Sequence, residues 1–209
     1  RTLRCLVNRA VYFRRRWWQV ARSVRATVLI LPGYGDSGPE HWQTLWERRF
    51  GYTRVEQDDW LEPSVDDWVA ALDRAVAASP APVVLVAHSL GCALVARWAA
   101  VAASPRVTGA LLVAPADVES PAHTPDEVRG FAPLPTDPLP FRSVVVASDD
   151  DPFVAIERAR RLAEQWGARF VSIGARGHIN ADAQVGEWPE GHRLLAGLLA
   201  DVSTDRERN

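Results

Sequence analysis

The sequence predicts a single α/β domain with a mostly parallel central sheet and helices on both faces. Three observations lead there. From residue 27 onward, short apolar runs alternate with longer helical stretches. The runs are continuously apolar, as in strands covered on both faces, and lack the alternation of a sheet with one wet side. The stretches between them are long enough to be the crossovers that parallel neighbours require.

Residues 27–31, Thr-Val-Leu-Ile-Leu, are closed by Pro32-Gly33 and read as a buried strand. Residues 39–50 have helical character, with Trp42, Leu45 and Trp46 spaced to share one face. A second helix follows Ser64, which forms a capping box with Asp67; Trp68, Ala71 and Leu72 supply its inner face. Residues 83–87 are the next buried strand, and Ser89 opens a helix through Ala103. Residues 107–114 and 143–147 are further strands. Residues 153–166 are helical, 169–173 form a last strand, and 187–202 a final helix. The proline-rich, acidic stretch 115–140 reads as an irregular loop with a short turn.

Composition narrows the class. The 209 residues suit one domain, and 47% hydrophobic with 24% charged side chains is ordinary for a globular protein. Two cysteines, Cys5 and Cys92, make no disulfide framework and read as free thiols. No apolar run is long enough for a transmembrane helix. Residues 1–25 hold eight of the 24 arginines and no acidic residue, so the remaining chain carries 16 basic against 26 acidic groups, a net of −10. That acidic body argues against nucleic acid as a partner. Arg14-Arg15-Arg16-Trp17-Trp18 invites comparison with a twin-arginine export signal, but Arg22 and Arg25 interrupt the apolar stretch such a signal needs. The expectation is a cytoplasmic monomer: a basic extension over 1–25, a folded domain over 26–202 and a polar tail over 203–209.

The strongest local signal is Ala87-His88-Ser89-Leu90-Gly91, a variant of the G-x-S-x-G nucleophile elbow between a buried strand and a helix. A nucleophile on so sharp a turn needs small neighbours two residues away on either side, and Ala87 and Gly91 meet that demand. The turn lifts the Ser89 hydroxyl above the sheet and leaves the Leu90 N–H at a helix N-terminus, aimed at a developing oxyanion.

A hydroxyl needs a base. Of the five histidines, His178 lies past the last strand on a glycine-bearing loop, where chain order and strand-end position suit the task. His192 sits inside the final helix and reads as structural, His123 sits in the proline-rich loop, and alternation points His88 away from the hydroxyl's direction. The base's carboxylate partner should follow the strand 143–147, where Asp149, Asp150 and Asp151 all stand; spacing does not choose among them. Three consecutive aspartates make a poor cation cage because adjacent side chains diverge. Neither a metal nor an organic cofactor is expected. The glycine-rich loop after the first strand, Leu31 to Gly38, lacks the lysine of a phosphate-binding loop, and the chain has no lysine at all. The Tyr34 N–H on that loop is the expected second oxyanion donor.

Four motifs in order, Gly33-Tyr-Gly-Asp-Ser-Gly-Pro-Glu-His-Trp42, Ala87-His-Ser-Leu-Gly91, Asp150-Asp-Pro-Phe153 and Gly177-His-Ile-Asn180, make the chain resemble the YdeN-like serine hydrolases, the retinoblastoma-binding protein 9-like α/β hydrolases. The likeness covers roughly residues 26–200. It implies a three-layer α/β-hydrolase fold with no large lid domain, so a fairly open site is expected beside the loop 115–140. The family's serine and histidine map to Ser89 and His178. Its acid, the aspartate directly before Pro-Phe, maps to Asp151. The chain has no L-x-C-x-E motif, so the interaction behind the human relative's name is not carried over.

The resulting expectation is a serine hydrolase cleaving carboxylic esters of small or medium acyl groups through an acyl-enzyme. Trp42, Trp188 and the loop 115–140 are candidates to line the acyl pocket, with core packing open as the alternative for each tryptophan. Two other readings stand beside it: an amidase or peptidase with the same triad, and a non-catalytic binding protein on the same fold.

Overall fold

A computed structural model of the protein describes residues 26–80 and 82–206. The basic extension read over 1–25 lies outside the described residues, as does the end of the polar tail, residues 207–209.

Six strands make one sheet in the order β2-β1-β3-β4-β5-β6, and every neighbouring pair is parallel. They are β1 (Thr27–Leu31), β2 (Thr53–Arg54), β3 (Val83–His88), β4 (Val107–Val113), β5 (Arg142–Ala147) and β6 (Arg169–Ser172). The helices are α1 (Trp42–Phe50), α2 (Val65–Ala78), α3 (Leu90–Ala102), α4 (Ile156–Gln165) and α5 (Pro189–Arg206). The expected strands are all present, and β2 is added at the edge. The last helix begins later than the sequence suggested and runs on to Arg206, into the residues read as a tail. The loop after β4 carries one 3-10 turn, Asp126–Phe131, and no lid domain.

Strand residues alternate between two buried faces. Leu29, Leu85, Ala87, Leu112 and Val145 pack beneath α2, α3 and α4, with Trp68, Leu72, Leu94, Trp98, Leu162 and Trp166. Val28, Ile30, Val84, Val86, Leu111 and Val113 pack beneath α1 and α5, with Trp42, Trp46, Leu195 and Leu198. Each side of the sheet thus has its own apolar layer, the three-layer arrangement expected from strands apolar at every position. The Ser64 hydroxyl accepts the Asp67 N–H at 3.4 Å and starts α2.

The strand order sets the position of the site. From β1 the chain crosses one way to β2, then returns to place β3 on the other side of β1. Loops leaving the carboxyl ends of β1 and β3 therefore part in opposite directions and open a crevice, the usual ligand position in open parallel sheets.

Candidate active site

Ser89 follows the last residue of β3 and precedes the first of α3, with φ 53° and ψ −120°. A non-glycine residue there is strained, and such strain persists only where surroundings impose it. Here the Ser89 N–H donates to the Val113 carbonyl at 3.0 Å, tying the turn to β4. The loop after β1 presses on the same turn: a β-carbon on Gly33 would lie 2.8 Å from the Ser89 β-carbon and 3.2 Å from the Leu90 nitrogen. Only glycine allows that approach, and Tyr34 and Leu90 line the same cavity. Neither N–H donates to an acceptor among the described residues.

His178 lies on the loop after β6. Its Nδ1–H faces both carboxylate oxygens of Asp151, each at 2.9 Å, and the two side chains are almost wholly buried. The Asp151 carboxylate also accepts the Phe153 N–H at 2.9 Å, which turns the chain so that the Phe153 ring lies 4.5 Å from the imidazole. The other two aspartates serve different partners. Asp149 accepts from the Ser172 hydroxyl at 2.7 Å. Asp150 accepts from the Ser148 hydroxyl and the Gly177 N–H, both at 2.7 Å, and these hydrogen bonds hold its carboxyl below the usual range.

Ser89, His178, Leu90 and Tyr34 line one cavity of about 270 Å³, and Asp151 stands behind His178. Gly33, Asp36 and Gly38 form the β1 side of its wall. The opposite wall comes from the proline-rich loop through Ala116, Thr124, Pro125 and Val128, with Phe153 and Asn180 beside His178. Arg129 donates to the Val118 and Thr124 carbonyls, and Arg158 pairs with Asp117 and Glu119, so this irregular wall is anchored.

Trp42 and Trp188 are not in the cavity wall, and their assignment to substrate binding is corrected. They are 0% and 3% exposed, with ring centroids 5.1 Å apart, in the apolar layer under α1 and α5. The nine-residue helix α1 buries its tryptophans against the sheet, because its exposed side carries Arg48 and Arg49.

Two histidines not expected at the site belong to the wall: His41, and His88, which the sequence suggested would point away from the hydroxyl. His41 caps α1, its Nδ1 accepting the Gln43 N–H at 3.2 Å, and its Nε2 is buried without a partner among the described residues. Burial, with the nearby His178 and Arg54, lowers its pKa to about 3. His88 directs Nε2 to the His178 carbonyl at 2.8 Å, and burial holds its pKa well below the usual histidine range. The sequence signal was present in both cases: one histidine immediately precedes α1, and the other immediately precedes Ser89. His192 is structural as expected, with Nε2 3.0 Å from the Tyr52 hydroxyl and its ring stacked on Phe50. His123 Nδ1 lies 2.9 Å from the Pro152 carbonyl. No described helix is long and apolar enough to cross a membrane.

A family model described as serine hydrolase matches residues 28–197. No curated protein matches the chain. Among solved structures, a YdeN-like hydrolase from Pectobacterium atrosepticum is 32% identical, with a TM-score of 0.76 over 84% of this chain and 91% of its own. The ydeN gene product of B. subtilis is 22% identical, with a TM-score of 0.67 over 84% of this chain and 99% of its own. A monoacylglycerol lipase from Paleococcus ferrophilus shares the fold at 14% identity, with a TM-score of 0.62 over 85% and 95% of the two chains. The chain is thus matched across most of its length by a serine hydrolase family model and by a YdeN-like hydrolase of the same fold: it belongs to the serine hydrolase family, among the YdeN-like α/β hydrolases.

Proposed function

We propose that the protein hydrolyses carboxylic esters of small or medium acyl groups through an acyl-enzyme. The observation that carries this reading is that His178, held by Asp151 at 2.9 Å, lines the same cavity as Ser89. Asp151 fixes the imidazole with its proton on Nδ1 and leaves Nε2 free to accept the Ser89 proton. Ser89 Oγ attacks the ester carbonyl, and the Leu90 and Tyr34 N–H groups receive the negative charge that develops on its oxygen. His178 then passes the proton to the departing alkoxide, and the acyl group stays on Ser89. Water, deprotonated by His178 in turn, releases the acid and restores the serine.

The apolar contribution of Ala116, Pro125, Val128 and Phe153 to the wall supports an acyl chain as occupant. The test is intact mass after exposure to a fluorophosphonate probe, with a panel of aryl esters run beside it. One adduct on the wild type and none on Ser89→Ala is the expected result. No adduct on folded wild type would overturn the reading and leave a binding protein on a hydrolase fold.

A further inference from the structure

The backbone that carries His178 is held at successive residues. The Arg176 N–H donates to the Ser148 hydroxyl at 2.8 Å, and the Gly177 N–H to Asp150 at 2.7 Å. The Ile179 N–H closes a turn on the Arg176 carbonyl at 3.1 Å. The carbonyls are held from the other side. His88 Nε2 lies 2.8 Å from the His178 oxygen, and Trp42 Nε1 lies 2.8 Å from the Ile179 oxygen. A carbonyl only accepts, so both ring nitrogens donate and His88 carries its proton on Nε2.

Ile179 itself has φ 51°. A β-branched residue in the left-handed region is an outlier that persists only when neighbouring contacts over-determine it. Released, the residue would relax to negative φ and rotate the peptide joining it to His178. The imidazole would then swing away from Asp151.

Building on the triad proposed above, we infer that His88 and Trp42 are positioning residues: their N–H groups, on two consecutive carbonyls, hold Ile179 left-handed and so keep the His178 ring aligned. Trp42 lies outside the cavity wall, and His88, though in the wall, spends its N–H on the His178 carbonyl. His88 stays neutral, because burial and the neighbouring His41 and His178 disfavour its cation, so it supplies a fixed hydrogen bond and no proton. Trp42, at the start of α1, brings its donor from a helix packed across the sheet face.

The test separates the N–H from the ring. Trp42→Phe removes the donor and keeps most of the packing. Trp46→Phe is the matched control: it is on the same helix and fully buried, and its N–H goes to the Glu187 carbonyl at 2.6 Å, away from the His178 loop. Misplacing a catalytic group by about 1 Å costs on the order of 10²-fold, so Trp42→Phe is expected to lower kcat and the labelling rate roughly ten-fold or more. KM should hold, and Trp46→Phe should match the wild type at equal folded fraction. His88→Leu should slow turnover in the same way, and His88→Gln, whose amide reaches the position of Nε2, should recover part of it.

Histidine ¹⁵N NMR supplies a readout independent of turnover. The wild type should show His88 protonated on Nε2 and a far-downfield Nδ1–H for His178, weakened in Trp42→Phe and retained in Trp46→Phe. Equal rates in the two tryptophan variants with that resonance unchanged, or wild-type kcat in His88→Leu, would overturn the inference. Failure of the wild type to label would overturn the triad, and the resonance comparison would still decide the positioning.

Discussion

Gly91 stands so close to Leu31 that a β-carbon on it would lie 2.4 Å from the Leu31 carbonyl oxygen and 2.9 Å from that of Pro32. Both obstacles are main chain and cannot rotate aside. Overpacking typically costs about 1–3 kcal/mol, and Gly91→Ala is expected at the upper end of that range. Because α3 would be pushed from β1, fluorophosphonate labelling should fall with stability. Denaturant unfolding of the variant beside the wild type checks the first expectation. Unchanged midpoint and labelling would show that the contact is looser than described.

The Ser89 backbone angles are those glycine adopts without strain. Ser89→Gly should therefore be more stable than Ser89→Ala by about 1 kcal/mol, the scale of a left-handed penalty. Both should lose on the order of 10⁶-fold in turnover, as when a nucleophile is removed. Paired thermal melts and ester assays measure the two effects separately, and an alanine variant at least as stable as glycine would contradict the strain.

Replacing each aspartate of the run with asparagine should grade the three positions. Asp151→Asn keeps the shape but favours the wrong His178 tautomer, a change that costs about 10⁴ in kcat in an unrelated serine protease. Asp150→Asn loosens the Ser148 and Gly177 contacts and should cost far less. Asp149→Asn touches only the exposed Ser172 bond and should be nearly silent. Comparable losses in all three would refute the assignment of Asp151.

Stability should fall in mild acid. His41 is held to a pKa of about 3 in the folded protein, against 6.5 when exposed, and His88 is shifted in the same direction. Between those values the unfolded chain binds the extra proton, so unfolding becomes easier as pH falls and the dependence levels off above about 6.5. Each such group contributes a slope of up to about 1.4 kcal/mol per pH unit within its window. Chemical denaturation from about pH 4 to pH 8, which takes in most of the His41 window and the plateau above it, should show His41→Asn less acid-sensitive than the wild type. Asparagine can still cap α1. An identical slope in the two proteins would mean that His41 is already protonated when folded.

Much of this fold was legible because β1, β3, β4 and β5 are buried on both faces, which writes a continuous apolar run into the sequence. β2 was not, since two paired residues at a sheet edge, Thr53 and Arg54, leave no pattern. Ser89 announced itself through small neighbours and its place between strand and helix. The roles of the three aspartates depend on Ser172, Gly177 and His178, partners more than twenty residues away, so spacing alone left them equivalent. For Trp42 the sequence leaves a ligand wall and the core both open. The structure favours the core, because a short helix with one apolar face buries its tryptophans against the sheet.

The order of the strands has a consequence for synthesis and quality control. His88 and His178 meet across 90 residues of sequence, and nothing on the chain before β6 can present the second to the first. If the proposed triad is the working one, a nascent or half-folded molecule has Ser89 without the His178 base, and so no triad to misdirect. On that reading, the fraction that reacts with a serine probe should also count the molecules whose last strand has docked.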